Sequence, residues 1–484
     1  LANKEFSYCT ELTSVSIPST TNSIDPKAFQ FCTKLATIAI DPANTSFTTV
    51  GGIVYSFDVS TLVRVPPAYA GTVNIPATVT TIANGAFDDC SAITDFAVDA
   101  GNISFESVDG LLFSEDLSAL IRCPAGHAGA YAVTATVTTI NGGAFNLCQG
   151  LTSITVDGAN PNYSSQSGAL FNKDLSTLIR CPGGYVGSFQ VPAASTAING
   201  DAFDDCTAMT SISVEGGNAT YSSSDGVLYN LDQTELIKCP AGFRGSHAPP
   251  PNTTSIGSNA FLGCASLTAI TFPPSLTTID DSAFRSCSGL SSIIIPESVS
   301  LISWWAFFNC DNLSTITFLG DAPTLNGYGS LFSTTSGDPT IDHFDDATGF
   351  TSLNWMGYPL TGMGSETGLK KWLIKGGLSY NQNPQADLNG DGVSLLTAYA
   401  LNLDPGVNNA ANMPQGVVNG ANFEMEFYSA AEGINYTVEC SEDLINWSPT
   451  GVSLSALSPE GLRTASLAIG SGKRFMRLVL DESP

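Results

Sequence analysis

The chain has 484 residues, 43% of them hydrophobic, enough to fill more than one core. Forty-four acidic against seventeen basic residues give a formal charge of −27, which repels nucleic-acid phosphates and anionic lipid heads and suits a saline or extracellular setting. No uncharged apolar run is long enough for a membrane-spanning helix.

The chain opens at Leu1 rather than Met, inside a repeat, so the expectation is a removed signal peptide or a missing upstream part. Cysteines 9, 32, 90, 148, 206, 264, 287 and 310 each stand three residues after a phenylalanine, at steps of 23, 58, 58, 58, 58, 23 and 23. The unit reads I-x-x-x-A-F-x-x-C-x-x-L-x-x-I-x-I, as in "IGSNAFLGCASLTAITF" from Ile256 to Phe272. A 23-residue period is that of a solenoid whose turns each supply one short strand and cannot bury an apolar face alone. Alternation in "SLTAITF" and "GLSSIIIP" marks those strands.

Each 58-residue step adds a second repeating segment, as in "GNISFESVDGLLFSEDLSALIRCPAG" from Gly101. Gly52, Gly110, Gly168 and Gly226 fall in step, as do Val65, Cys123, Cys181 and Cys239, and each insert reads as a β-hairpin with glycine at a positive-φ turn. The recurring pairs Phe87 and Cys90, Phe145 and Cys148, Phe203 and Cys206, Phe261 and Cys264, Phe284 and Cys287, and Phe307 and Cys310 are expected to form a buried structural ladder. Strand spacing alone would let Cys264, Cys287 and Cys310 pair, but parallel side chains give poor disulfide geometry, so most thiols should stay free. No C-x-x-C occurs, and the three histidines, at 127, 247 and 343, occupy no repeated position, which argues against zinc.

The A-F-x-x-C-x-x-L-x-x-I-x-I-P pattern with its "NxxYSSxDGVLYNxDxTxLIxCPAG" insert resembles the BspA-like leucine-rich repeat family of surface proteins, over roughly Leu1 to Thr361. "GDAPTLNGYG" through "FDDATGFTSLNWMGYPL" resembles the irregular segment that closes such solenoids. The resemblance implies a solenoid at residues 1–361, secreted or cell-surface placement, and adhesion.

After Thr361 the repeat stops. Residues 362–419 offer short helices at Leu369 to Ile374 and Leu395 to Leu401 around "DLNGDG", which matches the start of an EF-hand loop. It resembles the dockerin-like and thrombospondin-type-3-like calcium motifs of secreted bacterial proteins. That resemblance implies Ca²⁺ ligands at Asp387, Asn389, Asp391 and the Val393 carbonyl, weakened by Ala398 at position twelve, where an acid belongs. A capped helix-turn-helix without metal is the competing reading. Residues 420–484 alternate over short segments and are expected to form a small β-sandwich cored by Tyr436, Val438, Leu444, Trp447, Phe475 and Leu478, with Cys440 buried. They resemble a small C-terminal domain of secreted bacterial proteins.

The predicted fold is therefore mainly β: a leucine-rich-repeat solenoid with hairpin inserts, an EF-hand-like segment and a small β-sandwich. No nucleophile, paired carboxylates or metal set stands outside the repeat, so no enzyme is expected. "DD" at Asp88-Asp89 and Asp204-Asp205 recurs with the repeat and reads as a solvated turn. His127, Tyr185 and Phe243 vary within an otherwise fixed frame, as exposed residues of a ligand-binding row would. The expected function is adhesion through an extracellular protein or glycan ligand. The alternative is a structural subunit that joins other copies head-to-tail into a filament or layer, because the first turn reads as uncapped. Sequons at 44, 102, 162, 218, 252, 312, 435 and 446 read as turn asparagines, three of them on the 58-residue step.

Overall fold

The computed structural model describes the chain except residues 2–4, 8, 327–330, 332–338, 351–353, 356–357, 470–473 and 483–484, so part of the predicted closing segment lies outside the described residues. The chain packs into two units, one of Leu1–Ile293, Ser298–Ser314 and Pro323–Asp338, the other of Ile294–Glu297, Thr315–Ala322 and Pro339–Pro484.

The first unit is a β-solenoid of stacked coils. In one 58-residue module, strands Phe105–Val108, Leu111–Ser114 and Ala119–Arg122 form an antiparallel meander that continues in parallel onto Thr139–Ile140. Gly129–Val133 then pairs in parallel with Leu151–Val156. Asp109 (φ 51°) and Gly110 (φ 76°) make the two-residue hairpin turn, and Ser167-Gly168 and Asp225-Gly226 repeat it. Paired positive φ values match the turn to the strand twist. Where the inserts end, strands Ser255–Ile256, Thr278–Ile279, Leu301–Ser303 and Thr324–Asn326 stack directly in parallel.

The phenylalanines and cysteines of the motif lie beneath these coils. Phe261, Phe284, Phe307 and Cys264, Cys287, Cys310 are all 0% exposed. The rings stack at 4.8 Å (Phe261–Phe284) and 5.4 Å (Phe284–Phe307), nearly parallel. In the longer modules the ring instead meets the module's own strand, as Phe189 does Phe203 at 5.6 Å. From Cys32 onward each motif thiol donates to a carbonyl of a neighbouring turn: Cys287 to Phe261 O at 3.1 Å, Cys310 to Phe284 O at 3.0 Å, Cys206 to Pro182 O at 3.3 Å. All twelve cysteines are free thiols; Cys9 is exposed, Cys440 half-buried and the other ten buried. The residue before the motif cysteine adopts positive φ even when it is Phe31 (62°) or Leu147 (68°), because the turn leaves no other path.

A second ladder closes the coils. Asn44, Asn102, Asn160 and Asn218 recur every 58 residues, and Asn44, Asn160 and Asn218 are buried. Asn160 donates from Nδ2 to Thr134 O and Val137 O, both at 2.8 Å, and its Oδ1 accepts from the N–H groups of Asn162 and Tyr163, both at 2.9 Å. The amides of the sequons at 44, 102 and 218 are committed in the same way.

In the second unit, strands Thr315–Phe318, Thr340–His343 and Tyr358–Gly362 run parallel. Helix α1 (Gly368–Lys375) starts at a Thr367 cap and helix α2 (Leu395–Ala400) at a Ser394 cap, and Leu369, Leu373, Leu395, Leu396 and Tyr399 pack together. The terminal β domain has a four-stranded sheet in the order Gly416–Asn419, Asn422–Tyr428, Leu462–Ala468, Val452–Leu454, and an antiparallel pair, Ile434–Ser441 with Phe475–Glu482. Its buried core is Leu401, Met425, Phe427, Val438 and Ala465. Of the expected core residues Val438 is buried and Tyr436 and Leu478 pack against the core half-buried, whereas Leu444 sits exposed on a turn at φ 63°, and Trp447, Phe475 and Cys440 are only half-buried.

Candidate functional site

A column of cations runs through the solenoid: Arg64, Arg122, Arg180 and Lys238, 58 residues apart and 0%, 7%, 3% and 8% exposed. Each ends the last strand of its hairpin insert, and each turns its cationic head onto the carbonyls of the next cysteine turn. Arg64 donates to Gly85 O at 2.6 Å, Arg122 to Gly143 O at 2.7 Å and Asn146 O at 3.1 Å, Arg180 to Asp201 O at 2.6 Å, Lys238 to Asn259 O at 3.0 Å. Buried charge is tolerated where such dipoles and a counter-ion compensate for lost water.

The counter-ions are unevenly supplied. Arg180 pairs with Asp205 at 2.7 Å, and Lys238 reaches Asp204 at 4.0 Å. Among the described residues, neither Arg64 nor Arg122 belongs to an ion pair. The Asp-Asp turns are thus half-buried scaffold rather than the solvated turns expected: Asp89 and Asp205 accept from the backbone N–H of Phe31 and Leu147, both at 2.8 Å. Burial holds Asp89 above the ordinary carboxylate range, against the opposing pull of the Phe31 N–H and Arg64. Burial does the same for Asp204, against Lys238 and Arg180.

Over Arg122 lies a cleft of about 620 Å³, lined by Lys27, Asn84, Asp88, Arg122, Asn141 and Asn146. The turns Asn84-Gly85 and Gly142-Gly143 border it, and a Cβ at Gly85 would meet Asp88 Oδ2 and one at Gly143 would meet Asn146 Nδ2, both at 2.9 Å. A Cβ at Gly142 would meet nothing within 4 Å, so this is open space. The wall offers amide donors and acceptors and two cations against one carboxylate, a set suited to a hydroxyl-rich ligand.

The residues predicted as a ligand row stand elsewhere. His127, Tyr185 and Phe243 are half-buried rather than exposed, each edge-on to the next inward ring: Tyr131 at 6.4 Å, Phe189 at 5.6 Å, His247 at 5.7 Å. Tyr185 closes its own turn by donating to Ser188 O at 3.2 Å. His127 also borders a smaller, more apolar cleft of about 390 Å³ with Leu111, Phe113 and Tyr131.

In the predicted calcium loop, Asp387 accepts from the N–H groups of Gly390, Asp391 and Gly392, and Asp391 from those of Val393 and Asn409. Asn389 donates to Val407 O at 2.7 Å. These bonds hold Asp391 below the ordinary carboxylate range, the Asn409 N–H contributing most. Asp387, Asn389, Asp391 and the Val393 carbonyl would hold a cation here, but Ala398 is 3% exposed within α2 and supplies no oxygen. The donor set fits the ion only in part.

Sequence reading missed the cation column and the cleft. The signal was present: a basic residue precedes Val65, Cys123, Cys181 and Cys239 in every module, although only seventeen basic residues exist in the chain.

The stacked 23- and 58-residue coils, with their Phe-Cys ladder, define a β-solenoid of the leucine-rich-repeat class. Residues 1–64, 68–117 and 246–336 match the family described as BspA type leucine rich repeat region, in six copies. Residues between the matched segments continue the same modules in register. Similar solved structures include the pneumococcal vaccine antigen PcpA, 17% identical over 63% of this chain and 78% of that one, with a TM-score of 0.35. A leucine-rich repeat protein from Eubacterium ventriosum is 20% identical over 58% and 78%, with a TM-score of 0.30. A leucine rich cell surface protein from Faecalibacterium prausnitzii is 22% identical over 67% and 80%, with a TM-score of 0.29. No curated protein matches the chain.

Proposed function

We propose that this chain is a non-enzymatic surface or extracellular binding protein, adhesive in role, whose solenoid holds a glycan in the cleft beside Arg122. The observation that carries this reading is the cleft itself: about 620 Å³, within the range of ligand sites, and walled by three asparagine side chains and two cations. Surface placement rests on the BspA-type repeats. We also propose that the loop from Asp387 takes calcium weakly.

The test is an array of glycans and matrix proteins probed with the wild-type chain, Gly142→Trp and Gly158→Trp. At neither glycine would an added Cβ meet another atom within 4 Å, so both variants should fold, but only the first fills the cleft. Binding to a glycan that Gly142→Trp abolishes and Gly158→Trp retains is the expected result. Binding that survives Gly142→Trp would sink the site, and concentration-dependent mass growth in light scattering, with no ligand captured, would favour the self-assembling subunit instead.

A further inference from the structure

The modules differ in how they neutralise their buried cation, and the difference is written in the turn. Arg180 meets Asp205, twenty-five residues on, in the turn "AFDDC". The residue in the same place relative to Arg122 is Leu147, in the turn "AFNLC", so no carboxylate is delivered. Leu147 also interrupts a line of carboxylates in which Asp89 receives the Phe31 N–H and Asp205 receives the Leu147 N–H. Arg122 is left 7% exposed on the wall of a cleft that Lys27 shares, and among the described residues neither cation has an ion-pair partner.

Behind the same wall, Arg64 is 0% exposed and donates to the cleft residue Gly85, while its Nε and Nη2 hydrogen-bond to nothing among the described residues. Asp89 offsets Arg64 behind the wall, but against Lys27 and Arg122 the cleft itself presents one acid, Asp88. A chain with a formal charge of −27 thus leaves a net positive charge at one cleft wall, two cations against one carboxylate. Solvent-shielded cations of this kind favour an anion from the ligand, bound by charge-assisted hydrogen bonds.

Resting on the glycan reading above, we infer that the ligand is an acidic saccharide whose carboxylate lies against Arg122 and supplies the counter-ion that Leu147 withholds. The asparagine side chains take the sugar hydroxyls, and Gly142, beside open space, admits the ring.

The test is calorimetry with an oligomer of glucuronate, a neutral gluco-oligosaccharide of equal length and an oligo-aspartate peptide. Removing Arg122 would risk the fold, so the decisive variant is Leu147→Asp, which copies the residue of the sibling turns and hands Arg122 an internal partner. Wild type should bind glucuronate at least about tenfold tighter than the neutral oligomer, the scale of one charge-assisted hydrogen bond. Leu147→Asp should erase that preference, keep the neutral affinity and melt no lower than wild type. Equal affinity for both saccharides overturns the acidic ligand while leaving the glycan cleft standing. Tighter binding of oligo-aspartate overturns the saccharide class. Failure of wild type to bind either sugar overturns both readings, and an undiminished glucuronate preference in Leu147→Asp overturns the role of Arg122.

Discussion

Replacing Asn160 by alanine tests the account of how the coils are closed. Asn160 is 0% exposed and makes four hydrogen bonds, two from Nδ2 to the carbonyls of Thr134 and Val137 and two to Oδ1 from the N–H groups of Asn162 and Tyr163. Truncation removes the side-chain partner of all four backbone groups at once; Thr134 O keeps another, the Val137 N–H at 3.3 Å. A buried polar group left unpaired costs roughly 1–3 kcal/mol, and partial access of water to the two N–H groups discounts the sum, so the expected loss is about 4 kcal/mol. Asn160→Asp should cost at least as much, because it keeps the acceptor for the two N–H groups but buries a charge whose second oxygen faces the Thr134 and Val137 carbonyls. The assay is urea unfolding followed by circular dichroism, with Asn162→Ala as control, since Asn162 donates from an exposed position to Thr138 O alone. An Asn160→Ala variant within about 0.5 kcal/mol of the control would refute the reasoning, because that is the scale of ordinary surface substitutions.

Other outcomes follow from the same structure. Burial pushes the Cys90 thiol up to about 12 from its ordinary 9.0, so its contribution to stability is complete below pH 9 and is lost as pH rises toward 12; melting temperatures measured from pH 8 to 11 should fall above pH 9. Under native conditions at pH 8, alkylation followed by mass spectrometry should modify Cys9 and Cys440 and spare the ten buried thiols. Arg180→Met leaves Asp205 without its partner and should destabilise the solenoid by about 3 kcal/mol in the same urea assay. Titration calorimetry of the calcium loop should give a Kd on the order of 1 mM, abolished by Asp387→Ala, since Ala398 adds no ligand; no heat at tenfold that concentration would remove calcium from the account.

How much of this was legible in the sequence depended on periodicity. The Phe-Cys ladder, the hairpin inserts and their glycine turns recur at a fixed step, and a recurring apolar or turn residue has one simple physical meaning. The cation column recurs just as regularly, but a charged residue at a strand end reads as solvated until the next turn is seen to cover it. The sequon pattern mixed two positions, because Asn162 carries a sequon in the module where Asn160 carries the ladder. Pairings between distant coils were invisible as well: the Arg285 guanidinium lies 4.7 Å over the Phe31 ring, joining turns that no local pattern connects. In the terminal β domain, alternation located the strands but not the turn that exposes Leu444.

The most direct test of the binding cleft is hydrogen exchange by mass spectrometry on the full chain, with and without a saturating captured saccharide. The account predicts slowed exchange in peptides covering 82–88 and 141–146, absent in Gly142→Trp, with no change at 387–398. Protection confined to the His127, Tyr185 and Phe243 turns, or to the terminal β domain, would contradict it.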